Sequence, residues 1–285
     1  MIYPPPRSMN PPRHNRRSGR RSGAFSLLAA LVLCASQIYA APSLSVRIAF
    51  IGDTNGDAHA GAIQGIREAN AQGKFLGLTY KLVDAADITS ASAAQVAAIV
   101  VAGEAASLPM LAAQATGTPF LNVAADEDSL RSHCVANLLH TIPSQAMRAD
   151  AVQQWRKKQP GSQAEAHAWH ASAELYAGSQ LNKRYADHAG RPMTDQAWAA
   201  WAAVKLVSDT VARLRSGEPG ELLTTLRNDL AFDGQKGVDM SFRDNGQLRQ
   251  PLLLVEHGKI VGEAPVRGVA ANGDLDSLGT SACRK

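Results

Sequence analysis

The sequence predicts an α/β protein in which a parallel, Rossmann-like sheet lobe is followed by a reduced, mainly helical part and a C-terminal β-hairpin. Three observations carry that reading. Strand-like and helix-like segments alternate from Leu44 to Thr141. No stretch from Pro143 to Pro192 has the β-branched run of a core strand. Two short apolar runs then flank His257 and Gly258 near the C-terminus.

Val46 to Ile51 reads as a buried strand ending at Gly52, and His59 to Gln72 as a helix, with Ile63, Ile66 and Ala69 at helical spacing and Gly73 as its stop. Leu78 to Val83 is the second strand, and an alanine-rich helix covers Ser90 to Val96. Ala97 to Ala102 is the third, followed from Gly103 by a helix through Ala115. Pro119 to Val123 is the fourth strand and Ala136 to His140 the fifth. This alternation implies right-handed β-α-β units, because a twisted strand feeding a helix packs back onto the sheet in that hand. Ala151 to Lys158 continues a helix, Gln159 to Ser162 breaks it, and Glu165 to Tyr185 is again helical in composition. Thr194, Asp195 and Gln196 open a strong helix that aligns Trp198, Trp201, Val204, Val207, Val211 and Leu214 on one face. Another helix spans about Gly220 to Asp229. Val238, Met240 and Phe242 alternate as a strand, and Leu252 to Glu256 pairs with Lys259 to Val261 as a hairpin. The last twenty residues read as an extended tail.

Residues 1–40 are expected to lie outside the fold. Arg7, Arg13, Arg16, Arg17, Arg20 and Arg21 precede an apolar run from Ala24 to Ala35, and Ile38, Tyr39 and Ala40 offer a small residue before Ala41. This reads as a signal peptide cleaved after Ala40, with an uncleaved anchor, a twin-arginine route and lipidation at Cys34 as alternatives. The whole chain carries 29 basic and 25 acidic residues, and removing the six arginines leaves 23 against 25. The apparent basicity belongs to the leader, so nucleic-acid binding loses its compositional support, and the chain is expected to be periplasmic with no stable membrane span after cleavage. The expected organisation is a signal peptide over 1–40, an α/β lobe over 41–143, a helical remnant over 144–193, helices and a hairpin over 194–262 and a tail over 263–285. In an exported protein the remaining cysteines, Cys134 and Cys283, are expected to pair, with two unlinked thiols as the alternative.

In open parallel sheets ligands sit beyond the carboxyl ends of the strands, where the loops bring free amides and side chains to a common crevice. Four loops fall there: 52–57, 84–87, 103–107 and 124–128. Asp53, Asn55 and Asp57 suit hydrogen bonds to an amine or hydroxyl, and equally the turn that follows a strand. Glu104 and Ser107 suit either a ligand or a helix start. His140 lies close to the end of the lobe, as a sensor or as a satisfied structural histidine.

Signals for catalysis are weak. Gly52 to Gly56 lacks the G-x-G-x-x-G pattern, no phosphate-binding G-x-x-x-x-G-K-[ST] loop exists, and no G-x-S-x-G elbow is present. His167 and His170 would share a helical face, but no carboxylate or thiolate set completes a zinc site. The expectation is a non-enzyme without cofactor or metal.

Four segments carry a resemblance: GAIQGIREANAQGKFLG from Gly61, NVAADEDSLRSHCVANLLHTIPS from Asn122, AGRPMTDQAWAAW from Ala189 and FRDNGQLRQPLL from Phe242. Together they resemble type I periplasmic substrate-binding proteins of the leucine-binding class, and within it the branch associated with PQQ-dependent alcohol oxidation. There a cysteine also precedes ANLLHTIPS and another follows an LDxLG tail, here Leu275 to Gly279. The resemblance implies two Rossmann-like lobes closing over a solute, with the helix after Thr194 in lobe two. Only about fifty residues separate HTIPS from that helix, so most of lobe two is missing from the pattern. The resemblance places Asn122, Ala124 and Asp126 as lobe-one contacts. It implies an ABC-type transport role for a small polar solute, with a permease or a periplasmic quinoprotein dehydrogenase as partner. The alternative is an accessory or scaffold protein whose exposed cleft docks a periplasmic protein.

Overall fold

The computed structural model describes residues 43–271, 273–280 and 283. The leader expectations, including cleavage after Ala40 and lipidation at Cys34, lie outside the described residues. Five parallel strands form the first sheet: β1 Leu44–Ile51, β2 Leu78–Asp84, β3 Ala98–Val101, β4 Phe120–Asn122 and β5 Leu138–His140. Their order is β2-β1-β3-β4-β5, with Val101 beside Asn122 and Asn122 beside His140, so all carboxyl ends reach one edge.

The connecting helices are α1 Asp57–Gly73, α2 Ile88–Ala93, α3 Leu108–Gln114 and α4 Asp128–Arg131. α2 starts earlier than the alanine pattern suggests because Asp87 and Ser90 form a reciprocal capping box. α3 starts later than Gly103, since Gly103 to Ser107 remains an open loop.

α5 Gln145–Lys158 is capped by Ser144, whose hydroxyl accepts from the Met147 amide. Beyond it the helical expectation for 165–185 needs correcting. Glu165–His167 is a strand, β6, and only α6 Gly178–Ala189 is an α-helix. β6 pairs antiparallel with β9 Leu252–Glu256, which pairs in turn with β10 Lys259–Ala264. Alanine-rich composition favours a helix locally, but Ala166 aligned with Leu254 is buried in the sheet, and that tertiary pairing overrides the local preference. His257 and Gly258, at φ 51° and 72°, make the tight β9–β10 turn expected from the sequence. The second sheet is thus three-stranded and antiparallel, covered on one face by Met147 and Ala151 of α5.

α7 Asp195–Leu214 lies on the first sheet, not in the second part where the resemblance assigned it. It runs beside α1 in the same direction, in contact so close that a Cβ on Gly61 would fall 2.0 Å from the Ala197 carbonyl oxygen. Thr141, just past the end of β5, donates to the Ala199 carbonyl and Tyr80 of β2 to the Ser208 carbonyl. Small residues on α1 remove the bulk that would hold the helices apart, so α7 is buried almost all round. Its Trp198 and Trp201 are core residues.

α8 Pro219–Asn228 follows, and the Val238–Phe242 alternation forms only a two-residue strand, β7 Ser241–Phe242, against β8 Leu248–Arg249. The tail also departs from an extended segment tied by one cysteine. The buried Arg243 guanidinium pairs with Asp276 and donates to the carbonyls of Leu275, Leu278 and Thr280, and Leu278 is buried. Cys134 and Cys283 are disulfide-bonded, with Cα atoms 5.7 Å apart. Among the described residues no helix is long and apolar enough to cross a membrane.

Candidate functional site

The carboxyl edge of the first sheet forms the floor of the site, and the start of α5 with the loop after β6 rises beside it. After β1, Gly52 has φ 152° and a Cβ there would lie 2.9 Å from the Ala102 carbonyl oxygen, so this turn requires glycine. Asp53 and Asn55 are exposed. The Asp53 carboxylate accepts the Asn55 amide, which makes an Asx turn. Asp57 pairs with Arg191 at 2.6 Å and accepts from Thr194, so the α1 and α7 N-termini are stitched together. Glu104 is exposed after β3, beside Glu127 and His133 across an open groove. Ser107 turns back to the Glu104 carbonyl and does not cap α3 through its side chain.

The loop after β4 is held from within. Asn122 is fully buried, its oxygen accepting the Ala124 and Ala125 amides and its nitrogen donating to the Ala125 carbonyl and to His140 Nδ1. The Ala124 amide and the Asn122 side chain are therefore occupied inside the protein. His140 is buried beside Arg131, and burial first, then the charges of Arg131 and Arg227, holds it neutral, well below its ordinary pKa. Arg131 is itself buried. It donates to Gln247 and to the carbonyls of Ala125, Glu127 and Ile142, and burial lowers its pKa to about 10. These bonds lock the β4 loop to the chain segment leaving β5. Neither Arg131 nor Gln247 stood out in the sequence, since a buried guanidinium has no periodic signature.

The structure brings Asp126 to a junction that sequence reasoning missed. Asp126 Oδ1 accepts from Gln145 Nε2, and Arg148 Nε lies 4.0 Å from Asp126 Oδ2. Arg148 Nη1 also donates to Asp195 Oδ2 at 2.5 Å and to the Ala166 carbonyl of β6. Asp195 Oδ1 accepts the Trp169 amide, and His167 Nδ1 lies 3.6 Å from Asp195 Oδ2. Burial alone would raise the Asp195 carboxyl, but His167, Arg148 and the Trp169 amide outweigh it and hold the pKa at about 2. Hydrogen bonding to Asp195 in turn raises the His167 pKa. His167 thus ends a strand, not a helical face shared with His170, and the ring centroids of these two histidines are 6.0 Å apart. Among the described residues no group of three or more His, Cys, Asp or Glu side chains is placed to hold a metal ion.

Asp53, Asn55, Glu104 and Asp126 share one rim, with Asn122, Ala124 and His140 beneath it as its frame. Through Arg148 and Asp195, Asp126 is linked to the Ala166 carbonyl of β6 and to the Trp169 amide in the loop that follows it. The overall fold is also found in solved structures. A periplasmic binding protein from Burkholderia mallei superposes with a TM-score of 0.64 at 14% identity, over 85% of this chain and 99% of that chain. The branched-chain amino acid transporter substrate-binding protein LivJ from Streptococcus pneumoniae, solved with isoleucine, gives 0.59 at 14% identity over 77% and 98%. An amino acid ABC transporter substrate-binding protein from Pseudomonas fluorescens gives 0.61 at 13% over 85% and 96%.

The chain has the type I periplasmic binding fold. No protein-family model matches its sequence, and no curated protein does. In this type I fold the first lobe has all five parallel strands, and the second is reduced to α5, α6 and a three-stranded antiparallel sheet.

Proposed function

We propose that this protein is a non-enzymatic, exported solute-binding component of an ABC-type transport system, taking a small polar solute at the rim between the β1, β3 and β4 loops and the loop after β6. The observation that carries the reading is the Arg148 bridge, which spans from Asp126 on the first sheet's edge to Asp195 and the β6 backbone. A solute shifts a conformational equilibrium only through its different affinity for the two states, so a site needs contacts from both sides. The bridge links the edge of the first sheet to the reduced second part, and the reading takes Asp53 and Glu104 as the solute's partners on the first sheet. The carboxylates on the rim favour a solute that presents hydrogen-bond donors, such as an amino group or hydroxyls. An association with PQQ-dependent alcohol oxidation rests on the sequence segments alone, with a permease or a quinoprotein dehydrogenase as the partner. The leader-like segment supports a periplasmic location.

Calorimetry of the purified chain against amino acids, short alcohols and the acids derived from them tests the reading. A saturable heat that the double substitution Asp53→Asn, Glu104→Gln diminishes at least tenfold supports it. No heat with any of these, together with a stoichiometric protein partner recovered from the native periplasm, replaces it with the accessory or scaffold reading.

A further inference from the structure

At the amino edge of the first sheet, the end opposite the solute rim, one corner carries the most exposed large apolar side chain among the described residues. Phe75 is 90% exposed, Leu76 next to it 40%, and Leu214 at the end of α7 37%. The Arg215 guanidinium donates to the Leu76 carbonyl, which ties the end of α7 to this turn. Backbone bonds fix the turn itself. The Phe75 amide donates to the Gln72 carbonyl at 3.2 Å and the Leu76 amide to the Gly73 carbonyl at 2.9 Å, and Gly77 takes φ 65° before β2 begins. A rigid turn thus holds an aromatic ring out in water, where it forfeits the burial that normally stabilises such a ring.

The surroundings of the ring decide what it meets. A stable protein interface buries about 1,000 Å² or more around an apolar centre, and one protruding ring with two partly exposed leucines offers no such centre. A second copy docked corner to corner would set Lys74 and Arg215 against their own counterparts. Both are exposed, and among the described residues neither forms a salt bridge, whereas Lys205 is paired with Asp209 and Arg213 with Asp229. Glu218 at the start of α8 is the first carboxylate after them in the chain, and α8 then leads across the sheet to β5, where Arg227 bonds to the carbonyls of Val135 and Ala136. An aromatic ring flanked by exposed cations suits the headgroup level of an anionic bilayer, with the ring among the upper acyl chains and the cations on phosphate. The path of the chain agrees. The Leu44 amide donates to the Gly77 carbonyl at 3.0 Å, so the polypeptide enters the fold at this same corner. In the sequence only residues 36–43 lie between the apolar run Ala24 to Ala35 and Leu44. A segment of that length reaches at most about 29 Å, so wherever the run meets a bilayer the fold is held to it from this corner.

We propose that the Phe75 turn is a membrane seat, in which Phe75 and Leu76 enter the headgroup region of an anionic bilayer while Lys74 and Arg215 pair with its phosphates. The solute rim lies at the other end of the strands, clear of the contact. One ring and two cations give reversible binding, and a chain still joined to its apolar leader adds the second signal that stable seating requires.

The test follows tryptophan fluorescence of Phe75→Trp in the chain as exported, with Met110→Trp as control, because Met110 is 61% exposed on α3, away from this corner. Vesicles of phosphatidylethanolamine and phosphatidylglycerol are expected to shift the emission of the added tryptophan to the blue, and brominated acyl chains to quench it. Vesicles of phosphatidylcholine alone are expected to need at least about threefold more lipid for the same response, since they lack the anionic charge. Lys74→Ser with Arg215→Gln, placed in the Phe75→Trp background, is expected to abolish that difference. At so exposed a position the fold tolerates the replacement, and an unchanged melting temperature checks this. No blue shift, an equal shift in Met110→Trp, or an equal response to both kinds of vesicle would overturn the proposal. A shift with native membranes that pure lipid fails to reproduce would overturn it too, by placing a protein against Phe75.

Discussion

Arg148 Nη1 donates to Asp195 Oδ2 at 2.5 Å, and this contact joins α5 to the first turn of α7 where the two sheets meet. The same guanidinium caps the Ala166 carbonyl of β6, on the opposite edge from its partner β9. One side chain therefore blunts an open sheet edge and neutralises a mostly buried carboxylate. Replacing Arg148 by Met keeps the aliphatic packing and leaves Asp195 with only His167 and the Trp169 amide. Removing one partner of a buried pair costs about 3–5 kcal/mol when nothing compensates, and these remaining partners put the loss at or below the lower end of that range. The urea midpoint is expected to fall accordingly, and Arg148→Lys to recover part of it because an ammonium lacks the planar fork that serves two acceptors together. An unchanged midpoint in Arg148→Met would show that the bridge contributes nothing to stability.

Two histidines give the pH dependence opposite signs. His140 is held neutral, so the folded state binds fewer protons than the unfolded one once the pH falls below about 6.5. Its contribution is present above that pH and declines below it by up to about 1.4 kcal/mol per pH unit. His167 has a raised pKa through Asp195, so its contribution is complete below about 6.5 and fades as the pH rises through the folded value. Denaturation of His140→Gln between pH 5 and 8, which retains an acceptor for Asn122, is expected to show a flatter acid limb. His167→Gln is expected to lose stability mainly on the acid side, and identical curves for the two variants would contradict the assignment.

The first sheet was legible because each of its strands is a short apolar run cut off by a loop, and burial on both faces imposes that pattern on the residues themselves. The four carboxyl-edge loops follow from that topology. What was not legible depends on partners distant in the chain. Ala166 is a strand residue only because Leu254 lies beside it, and alanine by itself favours a helix. α7 has the same amphipathic pattern whichever lobe it joins, and only Gly61 and Gly65 facing Ala197 and Val204 decide the matter. In the site, Asn122 was singled out by the family resemblance and His140 by its place near the end of the lobe. The structure shows them bonded to each other in the frame, while Arg148 lay unremarked in a helix of ordinary composition.

Gly61 and Gly220 provide a matched pair that isolates helix packing from helix propensity. Alanine normally gains about 1 kcal/mol over glycine inside a helix. At Gly220 nothing lies within 4 Å of the added methyl group, so Gly220→Ala is expected to be neutral or slightly stabilising. At Gly61 the methyl group would sit 2.0 Å from the Ala197 carbonyl oxygen, and that atom is backbone within a buried helix. The helices must separate, which forfeits packing along α7, and a loss of about 3 kcal/mol or more is expected. Thermal melts of the two variants decide the point, and equal melting temperatures would contradict the close helix contact.

The disulfide and Arg243 hold the same tail by different means, so their removal should be read in different ways. The bond closes a span of 149 residues, for which the chain-entropy model gives about 5 kcal/mol, acting through the unfolded chain. Arg243 acts in the folded state, where its bonds to Leu275, Leu278 and Thr280 keep the tail docked without the sulfur bridge. Cys134→Ala with Cys283→Ala is therefore expected to lower stability by about 3–5 kcal/mol while tail amides such as those of Leu278 and Gly279 stay protected from exchange under native conditions. Arg243→Met with the disulfide intact should do the reverse at the tail, exposing those amides even though the chain remains cross-linked. Hydrogen exchange measured alongside urea denaturation separates the two effects, and loss of protection in the cysteine double variant would mean that the bridge alone keeps the tail in place.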